Sequence, residues 1–137
     1  MVSLTTPVSL PASPPRLAYG QVGLSFGSCF SERIGSRLEG GGLSLLVNPF
    51  GIQYNPLSIA SGLRRLLQSR LFTTSELVEH GGLYHSFAHH GRFSQTDPVQ
   101  MLEEINGGLR HAASLLPRAE YLLLTWGTAY VYRLADP

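Results

Sequence analysis

Two side chains that can act as nucleophiles stand next to each other after a glycine. Ser28 and Cys29 follow Gly27 at the point where a short apolar segment gives way to a helical pattern. A hydroxyl or thiol at the start of a helix lies among main-chain amides that stabilise a developing negative charge. The same residues also fit a structural role, in which Gly27 turns the chain, Ser28 caps the helix and Cys29 packs as a small apolar side chain. The sequence therefore favours either a catalytic turn or a helix cap here.

Two further loops carry groups suited to binding a substrate oxygen. Asn48 and Gly51 follow a second apolar run, and Gly127 and Thr128 follow a third. If the second loop folds back over the first turn, the Asn48 side chain and the Gly51 amide can donate hydrogen bonds to an oxyanion. We therefore treat these four residues, together with Gly27, as candidate oxyanion and substrate-binding positions.

The spacing of apolar residues predicts the elements that would position these loops. Strands are predicted over 22–26, 43–47 and 121–126, and helices from about 30 to the glycines at 40–42, over 56–70, and from 98 to 116. Residues 71–94 show no clean period and are predicted to be an irregular insertion. This order is typical of an α/β fold with a parallel sheet, whose ligands bind beyond the carboxyl ends of the strands. The run over 121–126 is typical of a strand buried on both faces.

The predicted insertion contains three closely spaced histidines. His85, His89 and His90 could place two imidazoles on one helical face, with Glu79 as a further ligand, but no recognised zinc signature is present and we expect no metal. If the insertion folds over the carboxyl edge of the sheet, His89 or His90 could serve as the base for Ser28 or Cys29. We therefore include His89 and His90 among the candidate catalytic residues.

Five motifs occur together in an order that resembles one known family. They are GSCFS at 27–31, VNPFG at 47–51, YNPLSIA at 54–60, HSFAHH at 85–90 and LTWGTA at 124–129. The chain is similar in these motifs to the GSCFA domain family, which is grouped with the SGNH/GDSL hydrolases. The resemblance implies a three-layer, flavodoxin-like parallel sheet, of which about three strands are present here, and an esterase-like or acyl-transfer site.

The resemblance also implies roles for individual residues. Ser28 falls on the aspartate and Cys29 on the nucleophilic serine of the Gly-Asp-Ser turn, so either side chain is a candidate nucleophile. Gly51 resembles the oxyanion glycine of the second family block. The turn at 127–130 resembles the third block, but Ala129 stands where that block has its oxyanion asparagine, and Asn48 is the residue that could replace it.

The resemblance further implies that the chain holds the N-terminal half of the domain. SGNH-type enzymes carry their catalytic histidine near the C-terminus, and no histidine follows His111 here. The strand over 121–126 is then expected to be an unpaired edge. We accordingly expect weak or no turnover from this chain alone, on a small-molecule or carbohydrate ester, and self-association through that edge. A non-catalytic binding or interaction module is the alternative function.

Composition narrows the remaining classes of function. The 137 residues suit one domain, read as an extended proline-rich arm over 1–16 and a GSCFA/SGNH-like domain over 17–137.

The net charge of +1 and scattered arginines favour neither nucleic acid nor an anionic membrane as partner. No apolar run reaches the ~20 residues of a membrane span, and the single cysteine is typical of a cytoplasmic protein. Nucleotide-binding signatures are missing, so we expect no cofactor.

Three arginines of the second predicted helix region have two interpretations. Arg64, Arg65 and Arg70 fall mostly outside the apolar face of that helix. They could bind phosphate, but a solvated helix face is the interpretation we favour.

Overall fold

A computed structural model describes residues 6–9, 13 and 16–133 of the chain. Most of the predicted arm over 1–16, and the last four residues of the predicted domain, lie outside this described part. The elements, in chain order, are β1 Val22–Gly27, α1 Cys29–Gly40, β2 Ser44–Val47, α2 Pro56–Gln68, β3 Val78–His80, β4 Leu83–His85, α3 Pro98–Leu115 and β5 Tyr121–Thr125. Short 3-10 turns occur at Thr74–Glu76, Gly91–Phe93 and Leu116–Arg118.

The main sheet has three parallel strands in the order β2-β1-β5. Leu24 in the central strand is level with Leu46 of β2 and Leu122 of β5. Because all three strands run in the same direction, their carboxyl ends and the loops that follow them meet at one edge. This confirms the predicted α/β class with a parallel sheet of about three strands.

The predicted helix starts are confirmed by their caps. Asn55 Oδ1 accepts a hydrogen bond from Ser58 N at 2.9 Å, with Pro56 as the first residue of α2. Asp97 Oδ1 accepts from Val99 N at 2.8 Å at the start of α3. Each cap satisfies a main-chain amide that has no partner inside the helix.

The two faces of the sheet are packed differently. On one face Leu24 and Phe26 of β1 are buried in an apolar core that also includes residues of α2 and α3, among them Ile59, Leu66, Met101, Ile105 and Leu109. On the other face the helix α1 comes close to the sheet through small residues. Ser31 and Ser25 are buried and their hydroxyls are hydrogen-bonded, and a side chain at Gly35 would collide with Val47.

The insertion is more regular than predicted, because it contains a two-stranded antiparallel hairpin of β3 and β4. Its two-residue turn is Gly81-Gly82, both with positive φ, as the tight turns that match the twist of paired strands require. The glycine pair was the signal for the hairpin. The flanking strands have three residues each and lack alternation of apolar and polar residues, which is why periodicity did not predict them.

The last strand is an edge strand, and its expected burial on both faces is wrong. Leu122 and Leu124 are 43% and 38% exposed, although they lie on the same face of the sheet as the buried Leu24 and Phe26 of β1. Its outer edge pairs with no other described strand, as expected from the resemblance. Within the described residues no helix is long and apolar enough to cross a bilayer.

Candidate functional site

The bend that leaves β1 depends on a close approach between two strands. Gly27 has φ +150°, and a Cβ at this position would lie 2.1 Å from the main-chain oxygen of Thr125. Ser28 N donates to the same oxygen at 3.1 Å. Only glycine fits at position 27, so the bend and the start of α1 are held in place by the end of β5.

Ser28 acts as the N-cap of α1. Its Oγ accepts a hydrogen bond from Phe30 N at 3.3 Å and lies 3.3 Å from Thr125 Oγ1. The residue is 8% exposed. The structural alternative considered from the sequence is thus realised for Ser28, whose hydroxyl is already engaged by the first turn of the helix.

Cys29 is the first residue of α1 and is exposed. Among the described residues, the main-chain amides of Cys29 and Ser31 have no hydrogen-bond partner, as is usual in the first turn of a helix. These amides are therefore donors that an anion near the Cys29 thiol could use. No hydrogen bond joins Cys29 or Ser28 to an imidazole in the described part of the chain.

Asn48 fastens the end of β2 to the end of β1. It is buried, and its backbone is in the left-handed conformation with φ +46°. Its side-chain Oδ1 accepts a hydrogen bond from Gly27 N at 2.9 Å, and its main-chain N donates to Ser25 O at 2.8 Å. Its Nδ2 is buried and has no hydrogen-bond partner among the described residues. Buried donors are nearly always paired, so this atom is an exception that calls for an explanation.

The three predicted glycine and threonine donors are engaged within the loops. Gly51 N donates to Asn48 O at 2.7 Å. Gly127 N and Thr128 N both donate to Tyr54 O, at 2.8 and 3.1 Å. These amides hold the loops together, which leaves the start of α1 and Asn48 Nδ2 as the unpaired donors near the bend.

The insertion folds over the carboxyl edge of the sheet. His90 N donates to Phe50 O at 2.9 Å, in the loop that follows β2. Arg92 donates to Asn48 O at 3.3 Å and forms an ion pair with Glu32 of α1 at 3.2 Å. This segment therefore reaches from the second loop to the first turn of α1, three residues beyond Cys29.

His89 is enclosed by aromatic rings. Its centroid lies 5.2 Å from that of Phe50, 4.6 Å from that of Phe72 and 5.3 Å from that of Phe93. Nδ1 is 2.9 Å from Ser86 Oγ, and the buried Nε2 has no partner among the described residues. Burial, with a smaller contribution from the charge of Arg65, lowers the pKa of His89 to about 4. The imidazole is neutral at pH 7.

The other histidines of the insertion point to separate partners. His90 is exposed, and its Nδ1 accepts from Arg92 N at 3.2 Å. His85 Nδ1 lies 2.8 Å from Ser94 Oγ, while its Nε2 lies 3.2 Å from His80 O. Glu79 is opposite Tyr84 in the hairpin. Within residues 6–9, 13 and 16–133, no three such side chains are grouped as metal ligands.

Two of the cavities in the described part of the chain lie beside the loops that follow β2 and β5. The smaller one, the His89 cavity, has a volume of about 200 Å³ and is lined by Tyr54, His89, Thr128 and neighbouring residues. The larger one, the α2 cavity, has a volume of about 440 Å³ and lies along one face of α2. A Cβ at Gly127 would be 3.6 Å from Ser28 Cβ and 2.8 Å from the ring of Tyr54, which places the bend next to the wall of the His89 cavity.

Sequence reasoning missed a buried ion pair behind the α2 cavity. Arg65 is 8% exposed, and its guanidinium contacts Glu76 at 2.7 Å through two nitrogens. The predicted solvated face is therefore wrong for this arginine, whose side chain lies over the ring of Phe72 at 3.4 Å. The hydrogen bond from Arg65 holds the pKa of Glu76 down at about 2. Position 76 carried no signal in the sequence beyond a Thr-x-x-Glu capping pattern, which the structure shows to be formed.

A comparison with protein families matches the model of the GSCFA family to residues 23–136. The matched range includes the bend, the second loop, both cavities and β5. Comparisons with curated proteins and with solved structures give no match.

Proposed function

The chain belongs to the GSCFA family, and from this premise we propose that it is a hydrolase-like protein of SGNH type that cleaves an ester through a nucleophile in the bend at 27–29. The observation that supports the proposal most directly is the exposed Cys29 at the first position of α1, beside unpaired main-chain amides. A nucleophile needs access to its substrate and donors for the charge it creates.

Cys29 is the better candidate of the two adjacent residues. Ser28 Oγ is largely buried and accepts a hydrogen bond from the first turn of α1. The thiol of Cys29 is exposed and has no protein partner among the described residues. A thiolate at the start of a helix also benefits from the positive end of the helix dipole.

The reaction would proceed in two steps. In the first, the base removes the proton of the Cys29 thiol, the thiolate attacks the ester carbonyl carbon, the bond between that carbon and the alcohol oxygen breaks, and the alcohol leaves with the proton from the base. In the second, water attacks the resulting thioester, which releases the acid and restores the thiol. The oxyanion formed in each step would accept hydrogen bonds from the amides of Cys29 and Ser31. Asn48 Nδ2 is buried, so a local rearrangement is needed before it can donate a hydrogen bond to the same oxyanion.

His90 is the candidate base that the packing of the insertion favours. It is exposed, and its neighbour Arg92 contacts Glu32 in the first turn of α1. His89 is a weaker base, because its pKa of about 4 leaves it with little affinity for a proton at pH 7. A small-molecule or carbohydrate ester remains the proposed substrate, and a reducing compartment such as the cytoplasm would keep Cys29 in its thiol form.

The test is hydrolysis of p-nitrophenyl acetate by the wild type, Cys29→Ala, Cys29→Ser and Ser28→Ala. We expect Cys29→Ala to abolish turnover and Ser28→Ala to retain it, since Ser28 only caps the helix in this proposal. His90→Gln should lower the rate by about 10²-fold or more. A rate that responds to neither Cys29→Ala nor Ser28→Ala would contradict catalysis at the bend.

A second candidate function is supported by the uncovered strand β5. Leu122 and Leu124 are exposed beside its unpaired edge, an arrangement that favours pairing with another strand. In this case the protein is an interaction module that self-associates through β5. Light scattering after size-exclusion chromatography tests it: a mass above 14.9 kDa that falls on Leu124→Lys supports self-association, and a monomer at high concentration contradicts it.

A further inference from the structure

The α2 cavity has the size and lining of a ligand site, and neither the bend nor the proposed nucleophile contributes to it. Its volume of about 440 Å³ lies within the range of small-molecule sites. One wall is a continuous face of α2, which presents Ser58, Ser61, Arg65 and Gln68 at helical spacing. The opposite wall includes Phe87 and Ala88 from the insertion and Tyr132 from the segment after β5.

The charge of the cavity is strongly one-sided. Among the described residues, four arginines line it and no acidic residue does. Arg65 is neutralised by Glu76, which lies behind the cavity at 2.7 Å from the guanidinium. Arg64 on α2, Arg70 just after α2 and Arg133 after β5 remain. Arg64 forms no ion pair or side-chain hydrogen bond with the described residues, and Arg70 reaches Glu76 only at 3.5 Å.

Arg65 holds the rim of the cavity in place. Its Nε donates to Arg70 O at 2.8 Å, and one terminal nitrogen donates to Leu71 O at 2.8 Å. The backbone after α2 is thereby fixed by a buried side chain whose own charge is already balanced. Arg70 is thus carried on a fixed backbone at the cavity, which reduces the entropy lost when an anion binds.

The other residues that line the α2 cavity indicate the chemistry of the rest of the ligand. Ser58, Ser61 and Gln68 offer hydroxyl and amide groups that pair with alcohols. Phe87, 70% exposed, offers an apolar surface for the carbon face of a ring. We infer that the α2 cavity binds a small sugar that carries a phosphate or a carboxylate, with the anionic group between Arg64, Arg70 and Arg133.

The probes that test this inference are glucose 6-phosphate, glucuronate and glucose, each titrated calorimetrically into the wild-type protein. We expect at least one of the two anions to bind and glucose to show at least tenfold weaker binding. Arg64→Gln and Arg70→Gln should each weaken anion binding at least fivefold. Arg110→Gln is the matched control, because Arg110 is exposed on α3 and does not line the cavity.

The outcomes separate clearly. Binding of glucose 6-phosphate alone identifies a phosphate site, and binding of glucuronate alone identifies a carboxylate site. Failure of both anions to bind, equal binding of glucose, or an equal loss in Arg110→Gln would overturn the inference. Because Cys29 is not part of the cavity, Cys29→Ala should bind the anion as the wild type does, so loss of esterase activity and loss of anion binding are distinguishable.

Discussion

The bend at 27–29 and the cluster of Phe50, Phe72 and Phe93 around His89, here called the aromatic nest, lie at the same edge of the sheet but are held by different forces. The bend is fixed by main-chain hydrogen bonds and by the lack of a side chain at Gly27. The nest is fixed by the packing of three phenylalanine rings and by Arg65, which contacts the ring of Phe72 and forms an ion pair with Glu76. The contrast teaches that a geometry set by main-chain contacts and a geometry set by packed side chains respond differently when a residue is changed.

The largest effect is expected from Gly27→Ala, which would break the bend. The new Cβ would collide with the main-chain oxygen of Thr125, which cannot move without disturbing β5. We expect a loss of about 3 kcal/mol or more in the free energy of unfolding, measured by urea denaturation.

Gly81→Ala is the matched control for the bend. Gly81 also has a positive φ, but nothing lies within 4 Å of its added Cβ. It should cost only about 1 kcal/mol. An equal loss in both variants would show that the contact with Thr125 does not determine the bend.

Removal of the Arg65–Glu76 ion pair, which supports the aromatic nest, should have the next largest effect on the free energy of unfolding. Arg65→Ala deletes a buried guanidinium that binds Glu76, two carbonyl oxygens and the face of Phe72. We expect a loss of about 3 kcal/mol in the free energy of unfolding. The neighbouring Arg64→Ala should change it by less than about 0.5 kcal/mol, because Arg64 is exposed. Thermal unfolding of both variants under one condition checks the difference.

The nest should also give the protein a dependence on pH that the bend lacks. The unfolded chain protonates His89 near pH 6.5, whereas the folded protein resists protonation until about pH 4. Stability is therefore complete above pH 6.5 and falls as the pH drops towards 4, by at most about 1.4 kcal/mol per pH unit.

His89→Leu should remove that slope, as followed by urea denaturation between pH 4 and 7. His111→Gln is the control, since His111 is exposed on α3. Below pH 4.5 the lowered pKa of Glu76 causes a separate loss of stability that persists in both variants. An unchanged slope in His89→Leu would contradict the burial of this imidazole.

The smallest effects on stability are expected from the side chains of Ser28 and Cys29. Ser28→Ala removes a helix cap and should cost about 1 kcal/mol. Cys29→Ala changes an exposed side chain and should stay within about 0.5 kcal/mol. Differential scanning calorimetry compares the two. A larger loss in Cys29→Ala than in Ser28→Ala would mean that the thiol has a structural role.

The sequence predicted those elements whose signals are local. The apolar runs and the caps at Asn55 and Asp97 each depend on a few neighbouring residues, so the three strands of the main sheet and the three helices followed from them, whereas the edge position of the last strand was implied by the family resemblance. Proline at the first helical position strengthened two of these starts, since it loses no hydrogen bond there.

The interior of the site was beyond prediction from the sequence, because it depends on contacts between remote segments. Arg65 and Glu76 look like ordinary surface charges until the chain folds them under Phe72. The unpaired Nε2 of His89 likewise follows from three rings that the insertion brings around it. Spacing can place a residue on a face of a helix, but it cannot show what another segment lays over that face.

The carbonyl oxygen of Tyr54 accepts hydrogen bonds from the main-chain amides of Gly127 and Thr128, so one oxygen tethers the segment after β5 that leads to Tyr130 and Tyr132. The rate of hydrogen–deuterium exchange at these two amides should therefore show whether a ligand occupies a cavity lined by those tyrosines. A ligand clamped against the tyrosines should slow the exchange of Gly127 and Thr128 together, while amides on the far side of α1 keep their rate.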